Sequence, residues 1–483
     1  MNKIYIVFCL LFFFFSLSVS AQQFSQYNTG TLYDSFENPS QRSFIPDSSR
    51  QYAFNFLIPN FDANTYVTGN IQPGLKSRLF SRTAFYDTEG LKIGKGQYNH
   101  FNANVNAYSI MFKVFTSLNG DVEMGFSAQT KVESRGLFSD ESLALLNGVN
   151  NFHANSYSDI FNDTYRFQAY HQLSFSYRER INNKFALGFK VSGLLGIQYQ
   201  QIDIVESHIS FNREVPTQPT ALLYLRGRYY DSYIPGQMTA HDYLPTFRNP
   251  GAAVSLGASY KTDDRITIQA NVKDLGFIHW SKRSAIYDFN NSEPINDLTS
   301  THREDTLYNR THKLLKNNGT VQSFTTPING RAELSATKSY WLGDGNNLKY
   351  TPTLIASKEL FYAGFTGALV NHFQFGKFTA TLTTSYDDMK FFNLGTQFMV
   401  KSPNVEFFVG TDRLINTGRF ALASLHNDAQ IQHEGDYSGG DLYLGFSLKF
   451  GHVIEHPMNA SSIPMGEKGF FGRLFGRLFK TDR

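Results

Sequence analysis

The chain of 483 residues has one cysteine, two tryptophans and almost balanced charge, with a formal net charge of +3. Cys9 lies in the first apolar stretch, so the remainder can hold no disulfide, thiol nucleophile or cysteine metal site. Near-neutral charge leaves no electrostatic case for a nucleic-acid partner. After Leu17 no stretch approaches ~18 consecutive apolar residues, which excludes helical membrane spans. A catalytic constellation is also missing. Ala253-Val254-Ser255-Leu256-Gly257 has the loose form of a nucleophile elbow, but Ser255 sits in the middle of a strand run rather than at a strand-to-helix turn. Ser255 therefore reads as a wall residue, and a lipid hydrolase is the least supported class. His426 and His433, with Asp428 and Asp436, come nearest to a histidine cluster and lack metal spacing. The pairs Asp263-Asp264 and Asp387-Asp388 read as turn residues. No cofactor, metal or enzymatic activity is expected.

What the chain does have is aromatic residues and alternation, with 46 phenylalanines and 27 tyrosines. Lys3, the apolar run Ile4 to Leu17 and Val19-Ser20-Ala21 predict a secretory signal cleaved after Ala21. From Tyr165 to Tyr199, two long alternating runs meet at Arg180-Ile181-Asn182-Asn183-Lys184. The first puts Tyr165, Phe167, Leu173, Phe175 and Tyr177 on one face, opposite Arg166, Gln168, Gln172 and Arg178. The second puts Phe185, Leu187, Phe189, Val191, Leu195, Ile197 and Tyr199 opposite Gly188, Lys190, Ser192, Gly196 and Gln198. Side chains on a strand alternate between faces, so each run is a ribbon with an apolar and a polar side. Both suffice for the ~9–11 residues that a strand needs to cross a bilayer. Aromatics at their ends match interfacial girdles.

The rest of the chain repeats this unit. Asn102, Asn104 and Asn106 alternate with Phe101, Ala103, Val105 and Ala107, and the apolar phase switches after Ser109, which predicts a bulge. Asn119-Gly120 is a hairpin turn signal. Long connections are expected at 134–164, with a helix from Ser139 to Asn147, at 206–249, and at 281–327, with a helix from Glu304 to Asn317. Short turns alternating with long loops are the pattern of outer-membrane barrels, whose long loops face outward. The alternative, a secreted all-β protein, gives no reason for this segregation. The predicted fold is a transmembrane antiparallel β-barrel of about 14 strands (12–16). The expected organisation is a signal peptide at 1–21, a plug-like segment at 22–50, the barrel at 51–450 and a periplasmic tail at 451–483.

The inward face is expected to carry Asn102, Asn104, Asn106, Arg166, Gln168, Gln172, Arg178, Lys190 and Gln198, making the lumen polar. Gly188, Ser192 and Gly196 leave room for a plug or an inserted terminal segment. Gly445-Phe446-Ser447-Leu448-Lys449-Phe450 resembles the C-terminal signal read by the barrel-assembly machinery. In the tail, Arg473, Arg477 and Lys480 among Phe/Leu pairs suit either an interfacial helix or a frayed end.

With Asn38-Pro39-Ser40 near its start and the hairpin ending in Asp274-Leu275-Gly276-Phe277-Ile278-His279-Trp280, the chain resembles an uncharacterised Bacteroidota outer-membrane β-barrel family. That family is related to long-chain fatty-acid channels and to the shuttle barrel of type IX secretion. The resemblance implies fourteen strands and an N-terminal segment tucked into the barrel through an Asn-Pro-Ala motif. Here Ser40 stands in place of the alanine. The implied function is non-enzymatic transport or binding of a small hydrophobic or amphipathic molecule. The alternative is a structural or adaptor barrel of a secretion, adhesion or gliding machine. Expected partners are outer-membrane lipid, the barrel-assembly machinery, and either that ligand or a secretion or adhesion partner.

Overall fold

A computed structural model describes residues 23–74, 88–116, 122–214, 219–233, 238–296, 298–300, 302–343, 345, 347–362, 364–387, 392–426, 439–455 and 470–471. The expected signal peptide, the Asn119-Gly120 turn, Asp428, His433, Asp436 and the basic end of the tail lie outside these residues. No helix among the described residues is long and apolar enough to cross a membrane.

Alternating side chains make the wall. Fourteen antiparallel strands close on themselves as a barrel. Its first strand comes in two pieces, Arg50–Phe54 and Asn60–Val67, and both pair with the last strand, Gly439–Val453. The last strand thus runs three residues past the boundary expected at 450. Each wall strand hydrogen-bonds to the next wall strand along the chain. Outward positions carry exposed apolar side chains, among them Phe126, Phe175, Val191, Leu256, Leu354 and Leu382. A ring of aromatics follows the short-turn rim. Cross-strand pairs stack there: Tyr52 on Phe112 with centroids 6.1 Å apart, Tyr350 on Phe373 at 5.1 Å, and Phe378 on Phe398 at 6.0 Å.

Bulges re-aim the wall. The register shifts between Tyr108 and Ile110, where the apolar phase of the sequence switches. Asn55 spans the matching break in the first strand. Its Nδ2 donates to the Ser109 carbonyl (3.2 Å), and its Oδ1 accepts from the Met111 amide (3.0 Å). A second shift leaves Ile197 unmatched, because Ala169 pairs with Gln198 and Tyr170 with Gly196. The extra residue reverses the faces beyond it. Tyr199, expected on the outer face with Leu195, therefore turns inward and packs against Trp280 with centroids 5.6 Å apart.

The strand Phe185–Asn212 belongs to two sheets. Its lower part pairs with Pro250–Lys261 in the wall, from Phe185 to Leu195. Its upper part, from Gln200 to Asn212, pairs with Thr220–Asp231. That strand pairs with Ala285–Ile295, which in turn pairs with Gly319–Val321. A cap sheet results at the long-loop end, with helix Arg303–Leu315 against it. Phe152, Ile209, Leu225, Phe289, Leu298 and Leu314 belong to its core.

These elements correct the expected loops. The connection drawn at 134–164 begins only after a strand that continues to Ser139, and the connections at 206–249 and 281–327 hold the cap strands. The two loop helices occur as Asp140–Leu146, with Ser139 as N-cap, and as Arg303–Leu315.

Leu354 is 62% exposed at the middle of strand Leu348–Glu359, facing the lipid. Leu354→Arg is expected to destabilise the barrel by about 2–4 kcal/mol in bilayer unfolding titrations. A loss below about 1 kcal/mol would place the position at the interface instead.

Candidate functional site: the lumen and its N-terminal segment

Residues 23–49 run inside the wall and touch strands around most of its circumference. The Phe24 amide donates to Asp412 Oδ2 (3.1 Å), Ser25 Oγ meets Thr383 Oγ1 (2.8 Å), and Asn28 Nδ2 donates to Thr337 Oγ1 (2.6 Å). The short helix Leu32–Glu37 is capped by Thr31, whose hydroxyl accepts from the Asp34 amide. Its apolar side chains Leu32, Tyr33 and Phe36, with Phe44, enter a cluster containing Tyr108, Met111, Phe115, Phe408 and Tyr443 from the wall.

Asn38-Pro39-Ser40 forms a tight turn against the wall. Asn38 Oδ1 accepts from the Ser40 amide (3.0 Å) and hydroxyl (2.8 Å), an Asx-type turn. Asn38 Nδ2 donates to Gln269 Oε1 (2.8 Å), and the Ser40 carbonyl accepts from Arg178 Nε (2.9 Å). The glycines opposite are required by close approach. A Cβ on Gly188 would lie 2.0 Å from the Pro39 oxygen, and one on Gly257 would lie 2.6 Å from Asn38 Oδ1.

A chain lying inside a barrel leaves backbone groups without sheet partners, and wall charges satisfy several of them. Glu123 accepts from the Ser43 amide and hydroxyl, at 3.1 and 2.8 Å through Oε2. It also faces Arg178 at 3.6 Å and Lys113 at 4.0 Å. Glu406 accepts from the Leu32 amide (2.8 Å) and pairs with Lys449 (2.7 Å). Lys113 Nζ donates to the Ser35 carbonyl at 2.9 Å. Lys273 bridges Glu37 of the segment and Glu333 of the wall, both at 2.9 Å.

Two further clusters join wall to wall. Asp274 sits at a bulge with a left-handed backbone (φ 55) and meets Lys131 (2.5 Å), Lys190 (3.5 Å) and Gln172 (3.0 Å). Arg135 makes two parallel bonds to Glu359, both 2.6 Å.

Of the residues expected inside, Asn102, Arg166, Gln168, Gln172, Arg178 and Lys190 are buried. Asn104 and Asn106 line a central cavity of about 70 Å³ between wall and segment. Gln198 is a correction: the bulge at Ile197 places it across from Ala169, on the outer side of the wall. Ser255 is buried and accepts from the Asp274 amide (2.9 Å), so it is not presented as a nucleophile. The charged partners Glu123, Lys131, Glu133, Lys273, Asp274 and Glu359 are not among the expected site residues; the signal for three of them is that Glu123, Lys131 and Glu133 alternate with Val122, Met124 and Val132 in the sequence.

Towards the cap, a pocket of about 240 Å³ opens between Tyr66, Phe101, Asn102, Tyr165, Arg166 and Tyr362. The Arg166 guanidinium lies 3.3 Å from the Tyr362 ring centroid and 4.0 Å from Glu133. Among the described residues neither of its Nη atoms has a hydrogen-bond partner. The pocket therefore combines aromatic surface with polar groups able to donate.

In structure the chain is similar to a FadL homologue of Pseudomonas aeruginosa, at 14% identity and a TM-score of 0.38, covering 88% of this chain and 92% of that one. It is similar to the toluene transporter TbuX of Ralstonia pickettii at 9% identity and a TM-score of 0.37, covering 86% and 93%. Its similarity to the toluene transporter TodX of P. putida has 7% identity and a TM-score of 0.37, again covering 86% and 93%. No curated protein matches the chain in sequence. Residues 46–412, more than half of the chain, match the family described as "Family of unknown function (DUF5723)", and the chain belongs to that family.

Proposed function

We propose that this protein is an exported, non-enzymatic outer-membrane barrel, matured by cleavage after Ala21, that binds or passes a small hydrophobic or amphipathic molecule. Residues 22–50 act as its plug, and the long-loop end faces outward. The carrying observation is the pocket above the segment, where Tyr66 and Tyr362 offer apolar faces beside Asn102 and Arg166. Aromatic walls with a few convergent polar groups suit a ligand with one apolar and one polar part. Asn102, Asn104, Asn106, Arg166, Gln168, Gln172, Arg178 and Lys190 keep the path polar, which favours amphipathic over purely greasy cargo. Lipid surrounds the wall, and Gly445 to Phe450 on the closing strand serve as the signal for the barrel-assembly machinery.

The test uses 2-naphthol, a small aromatic alcohol. The purified barrel should bind it saturably, and Tyr362→Ala should weaken binding about ten-fold, or ~1.4 kcal/mol. Equal binding by both proteins would remove the pocket from the proposal.

The cap supports a second reading, an adaptor barrel. Its sheet has its own core on one side and bears Tyr224, Arg226 and Arg228 on the other, with Arg226 and Arg228 paired to Glu206 and Asp288. An adaptor would use that face, and Arg226→Glu/Arg228→Glu would release a co-purifying partner without altering 2-naphthol binding.

A further inference from the structure

The mouth at the short-turn end is built on different chemistry. Its inner surface is the underside of the N-terminal segment, at Asn28, Thr29, Gln41 and Ile45. Around this lies a cavity of about 540 Å³ whose charged lining is Lys349, Lys377, Lys401 and Lys449, with His372 and no carboxylate. Elsewhere in the lumen Lys131, Lys190, Lys273 and Arg135 each face a carboxylate. Two of the mouth's lysines are tethered. Lys449 pairs with Glu406 behind the surface and donates to the Ser43 carbonyl (2.6 Å), and Lys401 donates to the carbonyls of Thr29 and Gly30. Lys349 and Lys377 have no ion pair among the described residues. His372 is buried, with Nδ1 engaged by Thr381 Oγ1 (2.8 Å). Hydroxyls of Thr267, Ser339, Thr351 and Thr379 complete the lining.

A recess of one charge sign, walled by low-dielectric protein, focuses potential and concentrates counter-ions. Ammonium groups and hydroxyls are donors that suit the oxygens of phosphate or carboxylate. We propose that this mouth is a binding site for a phosphate-type oxyanion, taken from solution on the short-turn side. Lys349 and Lys377 supply the unbalanced charge, and the segment underside supplies polar backing. The site is independent of the cap-side pocket and holds whether or not anything crosses the lumen.

Inorganic pyrophosphate, titrated calorimetrically into the full chain in nonionic detergent, should bind saturably. Lys349→Gln/Lys377→Gln should weaken binding about ten-fold, whereas Arg226→Gln/Arg228→Gln on the cap should leave it unchanged. Equal losses in the two variants would reduce the effect to net charge and overturn the site. So would the lack of saturable binding up to about 10 mM in protein whose circular dichroism shows an intact barrel. In nanodiscs, replacing phosphatidylcholine by phosphatidylglycerol should not change pyrophosphate affinity. A drop of about five-fold on that replacement would assign the mouth to lipid headgroups and overturn the solute source.

Discussion

Removing residues 23–49 is expected to turn a closed barrel into a conducting one. In planar bilayers the truncated protein should pass at least about ten-fold more current than the full chain, because a wall of this strand number encloses space well beyond one side-chain layer. The wall should survive the deletion. Glu123, Glu406 and Lys273 would lose segment partners but keep Arg178, Lys449 and Glu333, and water would enter beside them. A second variant keeps every segment residue in place. Ser25 Oγ and Thr383 Oγ1 lie 2.8 Å apart, so Ser25→Cys/Thr383→Cys in a Cys9→Ser background should oxidise to a disulfide. The cross-linked barrel should stay closed in urea concentrations that open the uncross-linked one. A pair that will not oxidise, together with unchanged current after truncation, would refute the plug.

The second large effect is expected at Asp274. Asn is nearly the same shape and tolerates the left-handed backbone seen there, so Asp274→Asn isolates the charge. It leaves Lys131 and Lys190 facing each other with no anion between them. Removing one member of a buried charged group costs about 3–5 kcal/mol, and urea titration of the variant in lipid should show a loss of that order. The triple variant Asp274→Asn/Lys131→Met/Lys190→Met should recover most of it, since matched apolar replacements of buried ions are often neutral. If Asp274→Asn unfolds like the parent, the three groups are hydrated and the cluster does not hold the wall.

Much of the wall could be read directly because the bilayer demands a strict period of two. Phe175, Val191 and Phe126 face lipid as their alternation requires, and the change of phase after Ser109 coincides with a bulge. The bulge at Ile197 leaves no local signature, since both phases around it contain apolar residues, and unbroken alternation puts Gln198 on the inner face rather than across from Ala169 on the outer one. Asn38-Pro39-Ser40 could be singled out as a motif, but its seat against Gly188 and Gly257 depends on strands far along the chain. The same limit hides the ion clusters. Arg135 and Glu359 are 224 positions apart, and no local pattern joins them. The cap sheet has a weak sequence signal because Thr220–Asp231 is rich in Tyr and Arg, although Leu223 and Leu225 alternate into its core.

The N-terminal segment also sets an order of assembly. Its residues leave the ribosome before those of the wall, yet Phe24 bonds to Asp412, 388 positions later, and the Ser43 carbonyl waits for Lys449, 406 positions later. Contacts of such separation form slowly because chain entropy must be lost before they contribute. The first strand that follows the segment is also the strand that seals the seam with the last one. Closing the barrel and seating the segment therefore both wait for the C-terminal strands.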